Sequence, residues 1–151
     1  MPAKKKSKVS RTAKAGSPDA SHVVRGGIPT ALGIRITSIT RKKVVGEMPI
    51  TSIHLNLNGR VNGGAIMSFG DVLGAAGAVL HRPPNYRGGT IESKTNFFAA
   101  GKGPVLSAVS IPLHVGRTTS VWQTTIKNAD GGMVAIVTQT QISVPAKSAP
   151  E

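Results

Sequence analysis

Asn62-Gly63-Gly64-Ala65-Ile66-Met67-Ser68-Phe69-Gly70-Asp71-Val72-Leu73-Gly74-Ala75-Ala76-Gly77-Ala78-Val79-Leu80 is the stretch on which the reading of this chain turns. It is apolar on nearly every face and is stopped by Pro83-Pro84, which predicts a buried helix over roughly 63–81. Gly70, Gly74 and Gly77 each cost on the order of 1 kcal/mol of helix propensity. That cost makes sense where a sheet or another chain must approach closely. One acidic residue, Asp71, sits in this apolar setting, and the stretch holds no Lys or Arg to pair with it. A carboxylate so placed has either a hydrogen-bonded structural role or a chemical one. Two turns upstream, Asn62-Gly63-Gly64 opens the helix and points backbone N–H groups at an electron-rich ligand. A carboxylate plus a helix N-terminus is a minimal kit for attacking an activated acyl group.

Working outward, Ile28-Pro29-Thr30-Ala31-Leu32 reads as a turn or short helix ending at Gly33. Ile34 to Thr40 alternates with period two, as a half-buried strand does, and Arg41-Lys42-Lys43 turns it into a second strand, Val44 to Ile50. Thr51 to Arg60 is a loop. After the helix, Asn85-Tyr86-Arg87-Gly88-Gly89 is rich in turn residues, and four strands follow: Thr90 to Phe98, Val105 to Val115, Thr118 to Ile126 and Met133 to Val144. Asn128-Ala129-Asp130-Gly131-Gly132 is a strong hairpin signal before the last. The order β-β-α-β-β-β-β describes an α+β domain in which a curved antiparallel sheet of about six strands wraps one long helix.

The totals agree. A chain of 151 residues fits one domain plus a tail. Aromatic content is 3%, so the core is built from Val, Ile, Leu and Ala. Residues 1–22 carry six basic residues against Asp19, a net +5 of the chain's +13, and leave +8 for the body, which should attract polyanions such as coenzyme A, nucleic acid or anionic lipid. The division expected is a disordered basic tail over 1–22, a domain over 23–145 and a frayed C-terminus over 146–151. The tail is read chiefly as a solubilising segment, with contact to nucleic acid or an anionic surface as its functional alternative. With no Cys there are no disulfides, thiolate nucleophiles or thiolate metal sites. His22, His54, His81 and His114 lack ligand spacing, so no metal or cofactor is expected. No segment reads as a secretory signal or a membrane span, and the cytoplasm is the expected location.

The run Asn56-Leu57-Asn58-Gly59-Arg60-Val61-Asn62-Gly63-Gly64 followed by Asp71 resembles the hotdog-fold acyl-CoA thioesterases of the phenylacetate-pathway (PaaI-like) type, in which an Asn, a Gly, a His-Gly-Gly and an Asp occur at this spacing. Thr90 to Phe97 is similar to that family's third strand. His114-Val115-Gly116-Arg117-Thr118-Thr119 is similar to its hairpin before the penultimate strand, and Asp130-Gly131-Gly132-Met133-Val134-Ala135 to its last turn. The resemblance spans roughly 33–144. It departs at one position: Asn62 stands where the family has His, and Asn donates and accepts hydrogen bonds but carries no charge.

The resemblance implies hydrolysis of an acyl- or aryl-CoA to free acid and CoA, with coenzyme A present only as part of the substrate. Asp71 would be the nucleophile or the general base on water, and Gly63 N–H the oxyanion donor. Asn56 would position water or the carbonyl, Thr90 would hold the water or the carboxylate, and Asn62 would serve in place of the His. Gly64, Arg87, Lys102, Arg117 and Thr118 would line the substrate, with the basic residues taking the phosphates and Arg117 the first choice among them. Each residue has a plainer alternative: a structural carboxylate for Asp71, turn chemistry for Asn56 and Asn58, β-propensity for Thr90, and solvated surface for the basic residues. His54 and His114 read as surface or interface residues, and Trp122 and Phe97 as packing. Ala75, Ala76 and Ala78 suggest room beside the helix.

Asp71 lies eight residues after Gly63, about 12 Å along a helix, too far for both to touch one carbonyl. The expectation is a homo-oligomer, a dimer or a homotetramer built from dimers, with Gly63 and Asp71 of each site drawn from different chains. Other readings are a hotdog hydratase, a non-catalytic acyl-CoA-binding protein, and polyanion binding through the tail.

Overall fold

The computed structural model describes residues 21–146. Most of the tail expected over 1–22 lies outside the described residues, as do residues 147–151; Ser21 and His22 begin a 3-10 turn that runs to Val24. The last described residue, Ala146, donates its N–H to the Asn85 carbonyl at 2.8 Å.

The chain forms α1 (Gly27–Ala31), β1 (Arg35–Ile39), β2 (Val44–Pro49), α2 (Gly63–Val79), β3 (Tyr86–Phe97), β4 (Val105–Val115), β5 (Thr119–Asn128) and β6 (Met133–Pro145). The six strands make one antiparallel sheet in the order β1-β2-β4-β5-β6-β3. Strand alternation gives the sheet a buried face: Val44, Gly46 and Met48 of β2, Leu106, Ala108 and Ser110 of β4, and Trp122, Thr124 and Ile126 of β5 all point inward. On that face lies α2, whose Ile66, Phe69, Val72, Leu73 and Ala76 complete the core.

The three helix glycines are explained by the sheet. A Cβ at Gly70 would sit 2.5 Å from Val137 Cγ2, one at Gly74 2.5 Å from the Gln139 carboxamide carbon, and one at Gly77 would meet the Trp122 ring. Three side chains of β5 and β6 therefore fill the space that helix side chains would otherwise take. Ala76 and Ala78 are buried in the same packing, and Ala75 lines a cavity.

One boundary differs from the sequence reading. The turn expected over Asn85–Gly89 is confined to Asn85, which adopts φ 61°, and β3 starts at Tyr86. Gly88 belongs to the strand because its backbone approaches the Ile142 carbonyl where a Cβ would clash. A β-bulge then interrupts the ladder: Thr90 pairs with Gln141 and Glu92 with Thr140, so Ile91 is the extra residue. The bulge changes the parity of β3. Thr90 lies opposite Gln141, and Ser93, three residues on rather than two or four, lies opposite Gln139. The architecture is the hotdog fold: a curved antiparallel sheet around one long helix.

Candidate active site

Asp71 sits in the third turn of α2, half-buried, and its carboxylate is held from the sheet. Thr90 Oγ1 donates to Asp71 Oδ1 at 2.7 Å. Gln139 Nε2 donates to the same oxygen at 3.2 Å and to the Asp71 backbone carbonyl at 3.1 Å. Behind Thr90, Gln141 Nε2 donates to Thr90 Oγ1 at 2.7 Å, which commits the Thr90 proton to the carboxylate. Both side-chain bonds reach Oδ1, and neither uses Oδ2. Gln139 is fully buried, and its Oε1 has no hydrogen-bond partner. An orphaned buried acceptor costs about 1–3 kcal/mol, so the orientation that serves Asp71 is held against a local penalty. Gln139 and Gln141 were not legible as site residues. Their only signal is two glutamines at period two in an otherwise β-branched strand, on the face that should be apolar.

The start of α2 lies two turns away on the same continuous helix, about 12 Å from Asp71 by the helical rise. Asn62 is the N-cap, and its Oδ1 accepts from Gly64 N–H at 2.7 Å. The Gly64 N–H is thereby spent on the cap, and its neighbour Gly63 begins the helix with an N–H that has no intrahelical acceptor. The Phe97 ring lies over Gly63, 3.3 Å from where a Cβ would stand. Asn56 shapes the preceding loop: its Oδ1 accepts from Asn58 N–H at 2.9 Å and Arg60 N–H at 3.1 Å, an Asx-type turn.

The basic residues do not converge. Arg87 pairs with Val144 and Arg117 lies in the β4–β5 hairpin, where Ser143 N–H bonds the Thr118 carbonyl at 2.7 Å, so both stand at the C-terminal end of β6. Lys102 stands at the other end. Its backbone N–H bonds Asn128 Oδ1 at 2.8 Å and its ammonium lies 3.8 Å from Asp130. The ends of β6 are about 40 Å apart by the extended rise, so one chain cannot bring all three cations to one phosphate group. Arg60, which the sequence reading passed over, shares a cleft of about 310 Å³ with Lys102, Asn128 and Asp130. His54 is also corrected. It is 2% exposed, with Nδ1 accepting from Thr51 N–H at 3.0 Å and Nε2 donating to the Leu32 carbonyl at 3.0 Å. Trp122 is core, whereas Phe97 is half exposed at the end of an edge strand.

Asp71 opens into a cavity of about 460 Å³ lined by Val23, Ile28, Pro29, Met67, Ser68, Val72, Ala75 and Ser93. Among the described residues no helix is long and apolar enough to cross a membrane, and no three His, Asp or Glu side chains are grouped to hold a metal ion.

Known proteins share this fold. The sequence profile of the thioesterase superfamily matches residues 58–135, from the Asx turn through α2 to the start of β6. A 1,4-dihydroxy-2-naphthoyl-CoA hydrolase of Listeria monocytogenes is 23% identical over 110 residues, covering 73% of this chain and 89% of that protein. The crystal structure of a mutant of the thioesterase PA1618 from Pseudomonas aeruginosa superposes with a TM-score of 0.80 at 26% identity, covering 87% of this chain and 97% of that one. A hypothetical thioesterase of Streptococcus pneumoniae, crystallised with coenzyme A, superposes with a TM-score of 0.65 at 27% identity over 76% of this chain and 88% of its own. With a profile that covers more than half of its length and a fold shared with solved thioesterases, this chain belongs to the thioesterase superfamily and is a thioester hydrolase.

Proposed function

We propose that this protein is a cytoplasmic, PaaI-like acyl-CoA thioesterase that hydrolyses an acyl- or aryl-CoA to the free acid and CoA, with Asp71 as the reacting carboxylate. The observation that carries the reading is the clamp of Thr90 and Gln139 on Asp71, with Gln141 backing Thr90, at the mouth of an apolar cavity. A carboxylate fixed through one oxygen keeps the other free for chemistry and loses little entropy when it reacts. The coenzyme A found with the Streptococcus protein and the aryl-CoA named for the Listeria relative support this substrate class.

Two routes use the same group. As base, Asp71 Oδ2 takes a proton from water while the water oxygen attacks the thioester carbonyl. The oxyanion is received by a Gly63 N–H, and its collapse breaks the C–S bond and releases CoA as a thiolate that then takes up a proton. As nucleophile, Oδ2 attacks the carbonyl itself, the C–S bond breaks with release of CoA thiolate, which takes up a proton, and water then cleaves the resulting anhydride to the free acid and the Asp71 carboxylate. Either route needs protein groups and water alone. Asn62 serves by capping: an Asn in the place of the family's His keeps the helix start ordered, so the Gly63 N–H stays free.

The separation of Gly63 from Asp71 along one helix makes each site a product of two chains. Two apolar surfaces are suited to a second copy. Strand β3 is a twelve-residue edge with Ile91, Phe97 and Phe98 half exposed or more. The outer face of β4 carries Val109 and Ile111, each 41% exposed, and Leu113, the extra residue of a bulge, adds a third apolar side chain at 53%. Pairing at the first would make a dimer, and packing at the second would make a homotetramer from dimers.

The test is release of free CoA thiol from short, medium, long and aromatic acyl-CoAs by wild type and Asp71→Asn, and the chain's lack of Cys leaves no protein signal. Hydrolysis of a panel member, lost in Asp71→Asn with the oligomer intact, supports the proposal. Hydrolysis that survives the substitution overturns the role of Asp71. A wild type inactive on the whole panel overturns the acyl-CoA reading.

A further inference from the structure

The cavity beside Asp71 has an unusual wall. Val23, Ile28 and Pro29 come from the segment before β1, which lies wholly outside residues 58–135 that match the family. This segment is not held by its own helix, since α1 buries no residue. It is pinned at three points instead. Buried His54 donates to the Leu32 carbonyl, Ile34 N–H bonds the Pro29 carbonyl at 2.9 Å, and Val23, Val24 and Leu32 pack on the core, while Gly26 N–H braces the segment internally on Thr30 Oγ1 at 2.7 Å. A segment so anchored, yet leaving Ile28 63% exposed beside a cavity, is built to present that side chain rather than to bury it.

The remaining walls are Met67, Val72 and Ala75 of α2, with the hydroxyls of Ser68 and Ser93 near the carboxylate. Asp71 is the one charged residue among these lining residues. A cavity of about 460 Å³ is within the range of small-ligand sites. Nothing among its described lining would compensate a second negative charge, and Asp71 itself would repel one.

We propose that residues 23–32 form a specificity cap, and that the cavity beneath it takes the acyl group of the substrate as a neutral, apolar chain or ring while rejecting acyl groups that end in a carboxylate. Ile28 and Ala75 determine that choice, Ile28 from the cap and Ala75 from the helix one turn beyond Asp71. The inference rests on the reading of Asp71 as the reacting carboxylate and adds the substrate class to it.

The experiment compares kcat/KM for acetyl-, butyryl-, hexanoyl-, octanoyl-, phenylacetyl-, succinyl- and glutaryl-CoA in wild type, Ile28→Lys and Ala75→Phe. In wild type the rate should rise by about fourfold per buried methylene until the cavity is filled. Succinyl- and glutaryl-CoA should fall at least about tenfold below neutral acyl groups of similar length. Ile28→Lys should shift the neutral-to-dicarboxylic ratio by about tenfold or more toward the dicarboxylic substrates. Since Ile28 is exposed, the substitution leaves the fold intact. Ala75→Phe should cost the octanoyl and phenylacetyl substrates far more than acetyl. If either variant alters all substrates by one common factor, or if wild type accepts glutaryl-CoA as well as hexanoyl-CoA, the cap has no such role, while Asp71-dependent hydrolysis would still uphold the thioesterase reading. A wild type inactive on every substrate overturns both.

Discussion

Thr90 Oγ1 and Asp71 Oδ1, 19 residues apart in sequence, meet at 2.7 Å and join the edge strand to the central helix at the carboxylate proposed to react. The contact depends on the bulge at Ile91, which lets both Thr90 and Ser93 face the helix. A hydrogen bond to a carboxylate is worth about 1.5–3 kcal/mol, which sets the scale for what its removal should do.

Replacing Thr90 by Val should lower kcat by roughly 10- to 100-fold, and Thr90→Ser should recover most of the loss. A bond that only stabilised the fold would lower the melting temperature in the Val variant and restore it in the Ser variant, with kcat unchanged in both. Equal activity of the Val variant and wild type would remove Thr90 from the site.

Gly74 is the backbone partner of the clamp. A Cβ there stands 2.5–2.8 Å from three atoms of the Gln139 carboxamide, so Gly74→Ala should push Gln139 off Asp71, destabilise by about 1–3 kcal/mol and reduce kcat. Combining it with Gln139→Ala should restore the melting temperature but not the activity, because the clash is gone and the donor is gone with it. A double variant as active as wild type would show that Gln139 does not position Asp71.

The proposed sharing of each site between two chains makes a complementation prediction. Gly63→Val, whose side chain meets the Phe97 ring, and Asp71→Asn should each be inactive alone. Mixed by refolding or co-expression, they should recover about a quarter of wild-type activity, the share expected when half the dimers are mixed and each keeps one intact site. No recovery in verified mixed dimers would mean that both residues act from the same chain.

His54 should matter for the cap and not for the chemistry. His54→Ala removes the bond to the Leu32 carbonyl and leaves a void, at a cost of about 2–3 kcal/mol in denaturant titration. Backbone hydrogen exchange should rise over residues 26–34 ahead of the rest of the domain. Unchanged exchange there would show that the segment is pinned by its other contacts alone.

What the sequence by itself determined was everything local or periodic. The apolar stretch with its Asn-Gly-Gly start and double-proline stop defined α2 almost to its ends, alternation placed the strands, and Asn128–Gly132 marked a hairpin in which Gly131 takes φ 84°. These features follow from short-range sterics and solvation, which each residue carries with it. Helix rise alone also put Gly63 and Asp71 too far apart for one chain to share a carbonyl between them. Only the tertiary structure decided who surrounds Asp71. Gln139 and Gln141 lie 68 and 70 residues away and look like any polar strand residues until β6 is laid beside β3. The bulge that aims Thr90, the burial of His54 and the cap over the cavity are likewise products of register and packing between distant segments, and no single window of sequence encodes them.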